Sequence, residues 1–150
     1  MRLALYEPDI AQNTGSILRL GACVGVPIDI IEPCGFVFGQ AQMKRAGMDY
    51  IEAAHYVRHT SWETFLCMRT AGRIVLLSSK ADIGYPQFAF APDDTLLLGR
   101  ESAGVPGSVH KAAGARLRIP MQPGMRSLNV AMAAAIVASE ALRQTNAFPR

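Results

Sequence analysis

The chain has 150 residues, which fits one folded domain, and no second domain need be sought. Half of the residues are hydrophobic and only 18% are charged, and this balance excludes an intrinsically disordered chain. The net charge of +3 is compatible with a nucleic-acid partner but does not indicate one by itself.

Neither a membrane-spanning helix nor a secretory leader is expected. The longest uncharged run, near the C-terminus, is interrupted by Asn129 and ends at Glu140. At the N-terminus only a few apolar residues precede Glu7 and Asp9, so the hydrophobic core of a signal peptide is missing. We therefore expect a cytoplasmic protein.

The cysteines, Cys23, Cys34 and Cys67, are odd in number and lack CxxC spacing. We expect reduced cysteines that pack in apolar surroundings, rather than a disulfide or a zinc site.

The N-terminal part of the chain predicts a βαβ unit. Residues 3–6 form a short apolar run typical of a buried strand, and the loop EPDIAQ follows it. We predict that Asn13 caps a helix through NTGSILRLGACV and that Gly25 ends this helix. A β-branched run at residues 28–31 supplies the second strand, and the connection in such units is nearly always right-handed. The sheet should be largely parallel.

The middle of the chain is less regular. We interpret PCGFVFGQ as a loop and AQMKRAG as a short basic helix, whereas strand and helix patterns compete in DYIEAAHYVRH. Thr60 and Glu63 fit a capping box for a helix through SWETFLCMRT that stops at Gly72. Further strands are predicted at residues 74–79, 95–98 and 116–119. The stretch KADIGYPQFAFAPDD is predicted to be a loop with at most a short edge segment. Residues 1–150 are thus predicted to form one α/β domain.

The C-terminal stretch PMQPGMRSLNVAMAAAIVASEALR joins a loop containing glycine and proline to a helix with almost no charge. Ser127 is the predicted N-cap of this helix. The helix is apolar on every side, so every side must be covered, in part by a second subunit of an obligate dimer. A charge at Ala134 or Ala138 would bury an unpaired ion in either the core or the interface. Asn129, in the first turn, either supports the cap or belongs to a site.

Three loops, EPDIAQNTG, LGRESAGVPG and IPMQPGMRSLN, follow the carboxyl ends of predicted strands, where open α/β sheets bind ligands. Gly99, Gly104, Gly107 and Gly124 would allow a ligand close to the backbone, although tight turns alone would also explain each of them. Neither the Rossmann pattern GxGxxG nor the P-loop pattern is present. Some other nucleoside-like cofactor is therefore expected.

These loops carry the sequences NTGSILR at 13–19, LGRESAGVP at 98–106, and IPM at 119–121 followed by SLNV at 127–130. Together they resemble the three ordered motifs of the SPOUT (SpoU) class of RNA 2′-O-methyltransferases, and the match spans almost the whole chain. With its RAGMDY segment and no appended RNA-binding domain, the chain is similar to minimal members that modify the wobble nucleotide of tRNA. Methylation of another tRNA or rRNA nucleotide, or a catalytically silent RNA-binding module, are the alternatives.

The resemblance implies a single-domain SPOUT α/β fold with a mostly parallel sheet and a C-terminal trefoil knot. It also implies S-adenosylmethionine as cofactor, tRNA as partner and a homodimer. Carried over from the motifs, the catalytic residues are Arg19, Glu101 and Asn129, and Arg126 joins Arg19 in binding RNA. The implied cofactor contacts are Leu77, Gly99, Ile119 and Ser127, with Met121 and Leu128 as adjacent candidates.

The chain departs from the family pattern at two positions. Arg100 stands where a proline often follows the glycine of the second motif, and Ser139 stands where an aromatic residue commonly precedes the glutamate of the last helix. We interpret the first as a local change of the loop. The second weakens any assignment of an RNA contact to an aromatic side chain there.

Arg19 is the family's proposed general base, but a guanidinium is effectively always protonated. Binding a phosphate and stabilising the developing oxyanion is a physically easier role. A surface or capping arginine is the alternative interpretation.

Other polar groups give weaker signals. His55 and His59, with Glu52, could present metal ligands on one helical face, but no HExxH pattern or further ligand supports this, and we expect no metal. Tyr6 and Tyr85 could stack on bases, although core packing is the commoner role. Several basic residues could form a phosphate-binding surface, for which Arg126 is the best candidate: Lys44, Arg45, Arg58, Arg69, Arg73 and Arg126.

Overall fold

A parallel sheet forms the centre of the computed structural model, which describes residues 1–39, 41–47 and 50–150. Met48 and Asp49 of the RAGMDY segment lie outside the described residues. The strands are β1 (Arg2–Tyr6), β2 (Ile28–Ile31), β3 (Tyr56–His59), β4 (Ile74–Leu77), β5 (Ile83–Gly84), β6 (Thr95–Leu98) and β7 (Ala115–Arg118). The helices are α1 (Ala11–Val24), α2 (Ala41–Gly47), α3 (Tyr50–Ala53), α4 (Trp62–Met68), α5 (Gly107–Ala112) and α6 (Val130–Gln144).

The strand order is β3-β2-β1-β6-β4-β7-β5, and every pairing between these strands is parallel. The predicted parallel sheet is therefore confirmed. The carboxyl ends of the strands share one edge, so the loops that follow β1, β4, β6 and β7 are neighbours.

Alternate side chains of the central strands build two cores, one on each face of the sheet. Leu3 and Leu5 of β1 pack with α1 and α6, whereas Ala4 and Tyr6 pack with α4 and α5. The Tyr6 ring is 7% exposed and meets Trp62 edge to face, with ring centres 5.9 Å apart. Core packing is therefore the role of Tyr6.

Helix α6 buries one face within its own chain. Ala134 and Ala138 are 0% and 1% exposed and belong to the core shared with α1, whereas Met132 is 59% exposed. A charge at Ala134 or Ala138 would thus enter the core of the protomer. None of the described helices is long and apolar enough to span a membrane.

The predicted helix caps are wrong at three positions. Helix α1 begins two residues before Asn13, with Ile10 at its N-cap. In α4 the cap is Ser61, not Thr60, and its hydroxyl accepts from the Thr64 N–H at 3.1 Å. In α6 the cap is Asn129, not Ser127, and its Oδ1 accepts from the N–H groups of residues 131 and 132 at 2.8 and 3.4 Å. In α4 and α6 the predicted and observed caps are equivalent residue types within two positions of each other, so loop geometry decides between them. In α1 the N-cap residue Ile10 makes no side-chain cap bond.

Other boundaries of helices and strands differ by a few residues from the predicted ones. The Gly25 stop is confirmed by its left-handed φ of 71°. The ambiguous stretch 49–59 divides into α3 and β3 in its described part, β4 ends at Leu77, and β7 begins at Ala115, one residue before the predicted start. Helix α4 ends at Met68 rather than near Gly72, and α5 was not predicted. Cys23 and Cys67 are free and exposed, so the predicted apolar surroundings are wrong for both.

Candidate active site

The carboxyl ends of β4, β6 and β7 surround a cavity of about 880 Å³. This volume lies in the range of cavities that hold small-molecule cofactors. Its walls come from the second loop (residues 99–106, after β6), the third loop (residues 119–129, after β7), the end of β4 and the start of α1. Four segments far apart in the chain therefore meet at one site.

Each residue predicted to contact the cofactor lines this cavity: Leu77, Gly99, Ile119, Met121, Ser127 and Leu128. Leu76, Leu117 and Val130 add apolar surface, and Ser78, Ser79 and Lys80 add polar groups that the sequence analysis did not identify. Ser78 and Ser79 were predicted to end the strand 74–79, and they belong to the loop because β4 ends at Leu77.

The second loop is closed by glycine. The N–H groups of Arg100 and Gly104 each donate to the other's carbonyl at 2.9 Å, and Gly104 has a φ of 65° that favours glycine. A Cβ at Gly99 would lie 2.7 Å from the Gly104 carbonyl carbon, closer than side chains tolerate. Glycine at position 99 therefore lets the second loop close tightly on Gly104, and this closure shapes one wall of the cavity.

A chain of polar contacts links the separate segments. Glu101 accepts from the Asp9 N–H at 2.8 Å and from Asn13 Nδ2 at 3.2 Å. Asn13 Oδ1 in turn accepts from Asn129 Nδ2 at 2.8 Å, and Asn129 caps α6. The sequence analysis assigned Asn13 to a helix cap, but its side chain is 9% exposed and serves as the middle of this network.

Further contacts fix the loop that follows β1. The Ser102 N–H donates to Asp9 Oδ2 at 3.0 Å, and Arg100 forms an ion pair with Glu7. The arginine that replaces the family's common proline thus ties the second loop to the end of β1. Arg100 therefore has a structural role in holding the two loops together.

Arg19 lies outside the cavity. It is exposed on α1, and its guanidinium carbon is 4.9 Å from the ring centre of Tyr50 in α3. Arg19 follows Asn13 by roughly one and two-thirds helical turns, which places it on another side of α1. The structure therefore brings Glu101 and Asn129 together but leaves Arg19 apart from them within one chain.

The predicted basic surface is reduced by pairing within the chain. Arg58 pairs with Glu32, Arg73 pairs with buried Asp94, and Arg69 donates to the Gly72 carbonyl. The hydrogen bond with Asp94 raises the pKa of Arg73 above its ordinary value, which is already high. Arg126 lines the cavity and is exposed, and Lys44 and Arg45 are exposed on α2.

The proposed histidine pair does not share a helical face. His59 is buried in β3, with Nε2 2.8 Å from Asp29 Oδ1, whereas His55 precedes the strand and is exposed. Across residues 1–39, 41–47 and 50–150 no group of three His, Cys, Asp or Glu side chains is placed to hold a metal ion.

Comparisons with known proteins cover nearly the whole chain. The SpoU rRNA methylase family matches residues 1–139. A tRNA (cytidine(34)-2′-O)-methyltransferase of Beijerinckia indica is 55% identical over 150 residues, 99% of this chain and 94% of its own. A protein of the same name from Escherichia coli K12 is 38% identical over 96% of this chain and 93% of its own.

Solved structures show the same likeness. A structure described as giving insight into the 2-OH methylation of C/U34 on tRNA is 38% identical, with a TM-score of 0.91 over 95% of this chain and 94% of that one. An AdoMet-bound rRNA methyltransferase from Sinorhizobium meliloti is 29% identical, with a TM-score of 0.85 over 95% of this chain and 55% of that one.

Proposed function

The chain belongs to the SpoU rRNA methylase family, and from this premise we propose that it methylates the ribose 2′-hydroxyl of the wobble nucleotide, position 34, of tRNA. The observation that carries the proposal is the cavity at the carboxyl edge of the sheet, where the three motif segments meet around the Glu101–Asn13–Asn129 network. Full-length relatives with 38 to 55% identity carry the name of this activity.

S-adenosylmethionine would supply a methyl group on a sulfonium: the ribose 2′-oxygen would bond to the methyl carbon and lose its proton, while the C–S bond breaks and S-adenosylhomocysteine leaves. The cavity fits this cofactor because its apolar lining from Leu117, Ile119 and Val130 suits a nucleobase, and the tight closure of Gly99 on Gly104 shapes the wall beside it. We assign cofactor binding to Leu77, Gly99, Ile119, Met121, Ser127 and Leu128. Positioning of the reacting atoms supplies much of the rate in such a displacement.

Glu101 and Asn129 are positioning residues in this proposal. Glu101 accepts from two donors at once, and Asn129 fixes the start of α6 while it donates to Asn13. Together they hold the second and third loops at a constant separation across the cavity. Arg19 and Arg126 bind the RNA. Arg19 lies apart from the cofactor cavity of its own chain, so its second role, stabilising the charge that develops on the 2′-oxygen, requires that it act at the cavity of the other subunit of the proposed dimer.

Gly99→Ala should weaken cofactor binding by about tenfold or more. The added Cβ collides with the Gly104 backbone, and overpacking of this kind costs about 1–3 kcal/mol. Gly114→Ala is the matched control, because its Cβ would meet only ordinary contacts at 3.7 Å and beyond. Calorimetry with S-adenosylmethionine, in the presence of a chelator, measures both. Unchanged affinity in the Gly99 variant would show that the second loop does not contact the cofactor.

We also propose that the protein is one domain over residues 1–150, cytoplasmic, a homodimer, and knotted at its C-terminal part. The dimer proposal rests on the exposed apolar side chains of α6 and the third loop, Met125, Leu128 and Met132, which are 65%, 43% and 59% exposed. Such side chains gathered near one element mark protein interfaces.

Light scattering should give twice the 16.2 kDa mass of one chain. Met132→Glu should shift the mass toward that of one chain, because a buried unpaired charge opposes association. Met68→Glu is the control, because Met68 is 64% exposed on α4, on the opposite face of the sheet. A single-chain mass for the unmodified protein would contradict the dimer.

The function is tested by transfer of labelled methyl from S-adenosylmethionine to unfractionated tRNA and, separately, to rRNA. We expect transfer to tRNA without added metal. Cofactor binding without transfer to either RNA would favour a catalytically silent RNA-binding module of the same fold. Transfer to rRNA alone would show that rRNA, not tRNA, is the substrate.

A further inference from the structure

A second cavity, of about 470 Å³, lies at the carboxyl ends of β2 and β3. Its lining comes from the loop after β2 and from the end of β3: Glu32, Pro33, Cys34, Phe36, Val37, Phe38, Arg58 and Thr60. None of these residues lines the cofactor cavity. We refer to it as the aromatic cavity.

The aromatic cavity adjoins the loop that supports Glu101. The Gly35 N–H donates to the Pro8 carbonyl at 2.8 Å, and a Cβ at Gly35 would lie 3.0 Å from Asp9 Cα. On the other side of this loop, the Asp9 N–H donates to the Glu101 carboxylate at 2.8 Å. A molecule in the aromatic cavity would therefore be separated from the active site only by the thickness of this loop.

The walls of the aromatic cavity combine rings with a fixed cation. The Arg58 guanidinium carbon is 4.5 Å from the ring centre of Phe38, and Arg58 Nε donates to Glu32 Oε1 at 3.1 Å. Phe38 is itself supported by the Tyr56 ring, with centres 5.6 Å apart. Arg58 Nη2 also donates to Glu32 Oε1, so this pairing holds the guanidinium in place. The side chain is 45% exposed, so a ligand in the cavity can still reach it.

Phe36 is a half-buried ring that lines this cavity. Among the described residues, Phe38 is one of the side chains that pack against a core, whereas Phe36 is not. The Cys34 thiol beside it is no nucleophile, because burial, together with the charges of Glu32 and Glu101, raises its pKa to about 11. The cavity thus offers stacking surface, hydrogen-bond donors and a carboxylate, but no reactive group.

We propose that the aromatic cavity binds the base of the tRNA nucleotide next to the one that is methylated, stacked on Phe36 and contacted at its edge or phosphate by Arg58. This inference rests on the proposed function. Sequence-specific recognition of single-stranded RNA commonly places splayed bases on aromatic rings and reads their edges with polar groups. The nucleotides that adjoin the methylated ribose lie close to the active site, and the aromatic cavity lies across one loop from it.

The test combines protein and RNA changes. Full-length tRNA is assembled from two fragments with an abasic residue immediately 5′ or immediately 3′ of the target nucleotide, and dissociation constants are measured with wild type and Phe36→Ala. We expect one abasic tRNA to bind wild type about tenfold more weakly, within the range for one base stacked on an aromatic ring. Phe36→Ala should lose about as much on intact tRNA and nothing further on that abasic tRNA.

Phe148→Ala is the matched control, because Phe148 is 44% exposed and lines neither cavity. Phe36→Leu keeps most of the side-chain volume but removes the ring. If Phe36→Ala loses cofactor affinity, which would indicate a disturbed fold, Phe36→Leu is used in its place. The inference would be overturned if Phe36→Ala and the abasic residue each weakened tRNA binding independently, so that their effects on the dissociation constant multiplied. It would also be overturned if neither abasic tRNA bound wild type more weakly than intact tRNA. Failure of wild type to methylate intact tRNA would instead overturn the proposed function.

Discussion

Replacing Arg19 with alanine should lower the single-turnover rate of methyl transfer to tRNA by at least about a hundredfold, the scale for loss of one preorganised donor. Cofactor affinity should hardly change, because Arg19 does not line the cofactor cavity and is exposed on α1. The change therefore separates the group that handles the RNA from the groups that hold the cofactor.

Arg19→Lys distinguishes charge from geometry. Lysine keeps the positive charge but loses the planar, two-pronged donor arrangement, so RNA binding should survive better than turnover. Rate and cofactor affinity are measured on the same preparations. A near-normal rate for the alanine variant would remove Arg19 from the mechanism, and an equal loss of cofactor affinity would show that Arg19 supports the cofactor cavity.

Glu101→Gln should lower the transfer rate by about a hundredfold, because a small displacement of positioned groups can cost that much. The glutamine has one accepting oxygen for two donors, the Asp9 N–H and Asn13 Nδ2. Rotating the Asn13 amide cannot repair the loss. Its partner Asn129 must present a nitrogen to Asn13, because Asn129 Oδ1 accepts from the first N–H groups of α6.

One donor is thus left without an acceptor, which should also destabilise the fold by about 1–3 kcal/mol. Thermal unfolding and single-turnover transfer measure the two effects. Glu63→Gln, at an exposed position on α4, is the control and should change neither. Normal transfer by the Glu101 variant would show that the network does not position the site.

The central part of the fold could be predicted because its strands are short apolar runs bounded by Pro, Gly or acidic residues. Residues 28–31 and 95–98 match β2 and β6 without error. Helix α5 was missed because its six residues carry too little periodicity to stand out from the loop around it. The caps failed because Thr60 and Ser61, or Ser127 and Asn129, are equally good by residue type.

The site was predictable only in part. The resemblance to the family's motifs supplied the predicted cofactor contacts, and all of them line the cavity because the segments that carry them lie at the ends of strands that share one edge. Asn13 was misassigned because an asparagine before an apolar helix is typical of a cap, and its partner Glu101 lies 88 residues away. The separation of Arg19 from Glu101 depends on which side of α1 faces the sheet, and a list of motifs does not contain that information.

The most direct test is to map the methyl group on the RNA. Purified protein and deuterium-labelled S-adenosylmethionine are incubated with tRNA from cells lacking this protein, and the tRNA is digested and sequenced by mass spectrometry. We predict one labelled methyl, on the ribose 2′-oxygen of nucleotide 34. A label on a base, or on the ribose of any other nucleotide with position 34 unlabelled, would contradict the proposed function.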